Sequence, residues 1–188
     1  MTKEIIRKTV LTALFTSLIA ASSFFTIPVG PVPVVLTTMF VVLSGMLGGP
    51  QIGLSSVVTY LIMGIIGLPV FAGGTAGLAK IMGPTGGFLL GYLLAAPAAG
   101  WMYNSKKDRS KPLEIPLAVI TSLLAGALIY LPGIPWLKQS LSMDWPTVLK
   151  AGLYPFIPGF VIKSMAAAAL GCSMKNRFRD FLSTGKED

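Results

Sequence analysis

Apolar residues follow one another along this chain in blocks too long for strands or for helices that face water on one side. No charged residue occurs from Thr9 to Ala79, from Ile81 to Ser105 or from Ile115 to Leu137, and from Ala151 to Met174 the sole charge is Lys163. A membrane-crossing helix needs about 20 predominantly apolar residues, so the first block holds about three crossings and each of the others one. Proline and glycine divide the first block, with Pro28, Gly30, Pro31 and Pro33 at one cut and Gly48, Gly49 and Pro50 at the next. The pattern predicts an all-α integral membrane protein, a single domain over residues 1–188 with six transmembrane helices at about 4–25, 34–47, 51–67, 88–103, 115–130 and 159–175. An external loop is expected over residues 68–87, and a short external helix over about 145–154, opened by Asp144 and Pro146. The second helix is short for a crossing, which places it at the centre of the bundle.

Charge adds an orientation to this picture. Only 12% of residues are charged, against about a quarter in a soluble domain, and the net charge is +8. Lys3, Arg7 and Lys8 precede the first helix, Lys106, Lys107, Arg109 and Lys111 follow the fourth, and Lys175, Arg177, Arg179 and Lys186 follow the sixth. With alternating helices all of these fall on one side, the positive-inside arrangement. Both termini are therefore expected in the cytoplasm, and the basic balance does not call for nucleic acid. Pro132, Gly133 and Pro135 are expected to end the fifth helix, with Trp136 and Trp145 at the outer interface. The first apolar run continues past Ala20, Ala21 and Ser22 to Ile27, which favours an uncleaved helix over a signal peptide.

The candidate chemistry is sparse. The chain has no histidine, and its acids Glu4, Asp108, Glu114, Asp144, Asp180, Glu187 and Asp188 all fall at helix ends or in loops. No metal site is predicted, nor an acid inside the bundle that could bind a coupling ion. Cys172 is alone and reads as a small apolar residue. What stands out is Lys163, just inside a helix that restarts after Pro155, Pro158 and Gly159. A charge at membrane depth costs roughly 2.5–3.5 kcal/mol on insertion scales, so a strongly accepting or anionic ligand is expected to meet it. The glycine-rich loop, with Gly73 and Gly74, allows close backbone approach, and its Phe71, Leu78 and Met82 call for burial. Lys80 and Lys150 read as solvated or interfacial lysines. Ala13, Ser17 and Ala21 recur every fourth residue on the first helix, a small-residue face that either packs internally or admits another helix.

Four stretches, Pro31-Val-Pro-Val-Val-Leu36, Gly67-Leu-Pro-Val-Phe-Ala-Gly-Gly74, Gly83-Pro-Thr-Gly-Gly87 and Pro155-Phe-Ile-Pro-Gly159 with Lys163, together resemble the BioY family, the biotin-specific S-components of energy-coupling-factor (ECF) transporters. The resemblance implies an S-component fold in a prokaryotic plasma membrane, with a pocket near the outer face. It also implies a partner module of a membrane coupling protein and two ATP-binding-cassette ATPases, no cofactor, and transport rather than catalysis. Ala13, Ser17 and Ala21 would then dock the coupling protein. Lys163 would meet the carboxylate or ureido oxygen of biotin, Thr75 and Thr37 would serve its polar ends, Gly73 and Gly74 would make close backbone contact, and Phe71 and Phe160 would form apolar walls. Two positions depart from the family pattern: Phe160 stands where an aspartate is common, and Thr37 where a glutamine is common. Those departures leave open a related ligand such as lipoate or desthiobiotin. A small intramembrane enzyme using Lys163 as a reactive amine, and a purely structural membrane subunit, are the readings from other classes.

Overall fold

A computed structural model of the chain describes residues 2–104 and 111–183. Lys106, Lys107, Asp108, Arg109, Lys186, Glu187 and Asp188 lie outside the described residues. Helix α1 (Thr2–Ser22) leads into a two-stranded antiparallel ribbon, β1 (Thr26–Ile27) and β2 (Val34–Val35), in the register Thr26↔Val35. Then come α2 (Thr37–Ile65), α3 (Leu78–Met82), α4 (Gly86–Asn104), α5 (Lys111–Ala127), α6 (Tyr130–Ser140), α7 (Trp145–Gly152), a 3₁₀ turn (Tyr154–Phe156) and α8 (Ile157–Ser183). Among the described residues, Lys3–Ser22, Thr37–Ile65, Glu114–Ser140 and Trp145–Phe178 are long and apolar enough to cross a membrane. Because α2 is a hairpin of two arms, residues 37–48 and 50–65, six helical segments traverse the bundle when α4 is included.

Gly49 makes that hairpin. Its φ of 81° and ψ of 176° interrupt the helix, a conformation a residue with a side chain rarely adopts. The two arms and α4 then close on each other through glycine. A methyl group placed on Gly45 would lie 1.9 Å from the Ala96 carbonyl oxygen, one on Gly53 would lie 2.8 Å from the Gly45 Cα, and one on Gly100 would lie 2.4 Å from the Pro50 nitrogen. Backbone contacts this close replace side-chain interdigitation, the way small residues draw helices together where lipid supplies no hydrophobic drive. Beside this layer Val42, Met46, Ala99, Tyr103, Ala118, Ala125 and Ala168 fill the space between α2, α4, α5 and α8.

Several expected boundaries are corrected. Val34 and Val35 do not open the second helix; β-branched and following Pro33, they pair as β2 and the helix begins at Thr37. The third segment ends at Ile65 rather than Gly67, whose φ is 105°. Residues 68–87 are not loop throughout, since α3 forms within them and α4 starts at Gly86. The prolines after Tyr130 do not end the fifth segment. Pro132 sits in the first turn of α6, where its missing N–H costs little, and the helix carries on through Pro135 to Ser140. The last helix is longer than expected, and α7 is shorter by the 3₁₀ turn that holds Pro155.

The first and last helices are tied at one end. The Arg7 guanidinium donates to the Phe181 carbonyl at 2.9 Å and covers its ring, and Phe15 stacks on Phe178 with centroids 5.5 Å apart. The start of α1 and the end of α8 therefore share one side of the bundle. On that same side Lys175 pairs with Glu114 at 2.6 Å, joining α8 to α5. The opposite end, where α2, α4 and α8 begin and α5 finishes, holds a cavity.

Candidate ligand-binding site

The cavity opens to solvent and encloses about 620 Å³ with its mouth counted. Its apolar walls come from Phe71, Phe88, Leu89, Ile129 and Phe156, and its polar atoms from Thr37, Thr38, Thr85, Tyr60, Tyr92 and Tyr130. Two lysines, Lys80 and Lys163, line it, and among the described residues no acid does.

Lys163 reaches it from the second turn of α8. Its ammonium donates to the Val35 carbonyl at 3.0 Å, so the cation rests on a neutral acceptor supplied by the ribbon rather than on a counter-ion. Thr37, 1% exposed, and Thr38 stand in the first turn of α2, and neither hydroxyl has a partner among the described residues. A buried hydroxyl left unpaired costs about 1–3 kcal/mol, which a ligand's polar edge can recover.

Phe71 closes one wall. Its ring is fully buried, lies edge-on to Tyr60 at 5.5 Å, and occupies the space that any side chain at position 64 would need. The turn carrying it is fastened from both sides. Phe71 and Thr75 exchange backbone hydrogen bonds, the Gly77 N–H donates to the Gly64 carbonyl at 2.7 Å, and the Ser23 hydroxyl donates to the Val70 carbonyl at 2.6 Å.

The other residues expected in the site are placed differently. Thr75 is exposed and donates its hydroxyl to the Ala72 carbonyl at 3.0 Å, inside its own turn. Gly73 and Gly74 have positive φ of 71° and 72°. The close backbone contact there is with the end of α1, where the Gly73 N–H donates to the Ser23 carbonyl and to the Thr26 hydroxyl, each at 3.2 Å. These three residues shape the turn that seats Phe71 and do not line the cavity. Phe160 does not line it either. The ring stands edge-on to Tyr130 at 5.8 Å and over Gly126, bordering a smaller space behind that tyrosine. Ala13, Ser17 and Ala21 are exposed on α1, away from the cavity, so the small-residue face is not used for internal packing.

Two contributions were not foreseen. Lys80, expected in solvent, lines the cavity because residues 78–82 coil into α3, and the following loop is held by Trp136, whose indole N–H donates to the Gly83 carbonyl at 2.9 Å. Three of the chain's five tyrosines meet in the site. Their signal was a phenol in the middle of an apolar segment, where the hydroxyl needs a partner.

The family model of BioY matches residues 1–180. The chain belongs to the BioY family. A biotin transporter BioY2 of Lactococcus lactis is 35% identical to it over 164 residues, covering 87% of each chain. A probable biotin transporter BioY of Pyrococcus horikoshii is 35% identical over 160 residues, covering 85% of this chain and 91% of that relative. Among solved structures, the S-component for biotin from an ECF-type ABC transporter superposes with a TM-score of 0.84 at 26% identity, over 97% of this chain and 98% of that one. The structural similarity covers nearly the whole of this BioY-family chain. It is a multi-pass membrane transport subunit and not an enzyme.

Proposed function

We propose that this chain is the biotin-binding S-component of an ECF uptake transporter in a prokaryotic plasma membrane, capturing the vitamin with high affinity from outside. Positive charge at Lys3, Arg7, Lys8, Lys175 and Arg177, at the end remote from the cavity, supports cytoplasmic termini and an outward-facing mouth. The exposed Ala13, Ser17 and Ala21 face offers a membrane coupling protein a close helix approach, and two ATP-binding-cassette ATPases would supply the energy that this chain has no motif to provide. The observation that carries the reading is the cavity itself: a lysine on a neutral acceptor beside unpaired threonine hydroxyls, at the end of an aromatic-walled space. Biotin matches it, with an apolar ring and chain, a ureido group that both donates and accepts, and one carboxylate.

Lys163, Thr37 and Phe71 are the predicted contacts, with Gly73, Gly74 and Thr75 acting through the turn that seats Phe71. A charge-assisted hydrogen bond contributes about 1.5–3 kcal/mol. Titration calorimetry of the detergent-purified protein should therefore show one-to-one biotin binding that weakens by about tenfold or more in Lys163→Ala. Equal affinity in that variant would refute the role of Lys163. The same fold binding lipoate or desthiobiotin is the second reading, favoured by the neutral partner of Lys163 and by Phe160 standing behind Tyr130. Lipoate binding more tightly than biotin in parallel titrations would select it.

A further inference from the structure

The geometry points to Lys80 as the residue that holds the carboxylate of the ligand, leaving Lys163 to the ureido carbonyl. This assignment rests on the biotin reading above and fixes which way round the molecule lies. The two lysines reach the cavity from different walls, α3 and α8, and they differ in setting. No residue of α3 is buried, its Leu78 and Met82 are 55% and 69% exposed, and among the described residues Lys80 has no hydrogen bond or ion pair. Its ammonium is free to take a ligand anion at the rim. Lys163 instead already donates to the Val35 carbonyl and stands where the main cavity meets the smaller space behind Tyr130.

A carboxylate is far more costly to remove from water than a neutral amide-like group. The charged end of the ligand is therefore favoured at the partly solvated α3 wall and the neutral ureido end beside Lys163. The surroundings of Lys163 also match a group that donates and accepts at once. Thr37 and Thr38 have unpaired hydroxyls able to do either, and the lysine supplies an N–H for the ureido oxygen. The α3 wall itself brings one cation and otherwise apolar side chains. The valeryl chain would lie across Phe88, Leu89 and Ile129 between the two ends.

The test compares biotin with biotinamide, which keeps shape and ureido ring but has no anionic end, by calorimetry of the full-length protein in detergent. Wild type is expected to bind the acid about tenfold or more tightly than the amide. In Lys80→Ala that ratio should fall to near one, and in Lys80→Arg it should persist. In Lys163→Ala both ligands should weaken by a similar factor, leaving the ratio in place. Amide binding by Lys80→Ala shows that the variant is folded. A ratio that survives in Lys80→Ala, or that collapses in Lys163→Ala, overturns the assignment alone. Absence of biotin binding by wild type overturns the biotin reading and this assignment with it.

Discussion

Gly64→Ala tests whether the seat of Phe71 is as tight as it looks. The added methyl would start 2.0 Å from the Phe71 Cζ, with Cε1 and Cε2 at 2.3 and 2.5 Å. Ordinary contact begins at 3.4 Å, so the ring must withdraw by about 1.4 Å. It has little freedom to do so. The ring is fully buried against Tyr60, and the backbone of Phe71 is bonded to Thr75 in both directions, with N–H···O distances of 2.9 and 3.2 Å. Overpacking of this kind costs about 1–3 kcal/mol, and because Phe71 lines the cavity, biotin affinity should fall as well. Thermal unfolding of the purified protein, followed by intrinsic fluorescence, reads the first effect, and calorimetry the second.

A double-mutant cycle isolates the cause. Phe71→Ala alone should cost about 3–5 kcal/mol as a buried aromatic truncation. If the clash is the origin of the Gly64→Ala defect, the two changes together should cost about as much as Phe71→Ala alone, a coupling of about 1–3 kcal/mol. Additivity within about 0.5 kcal/mol would mean that the methyl is accommodated elsewhere, refuting the packing argument.

Two further substitutions probe the cavity and its support. Thr37→Val replaces an unpaired buried hydroxyl with an isosteric methyl, so the unliganded protein should gain about 1 kcal/mol in thermal unfolding while biotin binds several-fold more weakly; a lower melting temperature with unchanged affinity would contradict this. Glu114→Gln breaks the pair with Lys175, whose side chains are 25% and 17% exposed, and should cost about 1–2 kcal/mol, between the limits for exposed and buried pairs. An unaltered melting temperature would show that this contact does not hold α5 to α8.

Lys163 was legible because a single charge in an apolar run has no solvent to retreat to, so sequence alone says that the fold must provide for it. Phe71 was legible for a related reason, being a large apolar residue in a loop that could not otherwise bury it, but the same expectation fails for Leu78 and Met82, which α3 leaves 55% and 69% exposed. Gly49 was marked by its place between Gly48 and Pro50. Lys80 could not be read in this way. Whether a lysine in a glycine-rich segment points to water or inward depends on the one-turn helix α3 and on the Trp136 bond that steadies the loop after it, and Trp136 is more than fifty residues away. Phe160 misled for the same reason. One turn before Lys163 it was expected to share the cavity, but Tyr130, arriving from α6, takes the wall and leaves Phe160 behind it. Pro132 and Pro135 looked like terminators, yet a proline in a first turn lacks only a donor that had no use there. The helix also runs on past Pro135, five residues further to Ser140.

The glycine layer beneath the cavity limits how a captured molecule can leave. Where Gly45, Gly53 and Gly100 meet the facing backbones there is no room even for one extra carbon, and Met46, Tyr103 and their apolar neighbours form a buried cluster beside them. The first arm of α2, residues 37–48, is about 18 Å long at 1.5 Å per residue, roughly 12 Å less than the hydrocarbon thickness. An arm this short brings the cavity at its head closer to the packed glycine layer than a full-length crossing would. The protein is a cup and not a tunnel: beneath the cavity its base is closed by backbone packed on backbone.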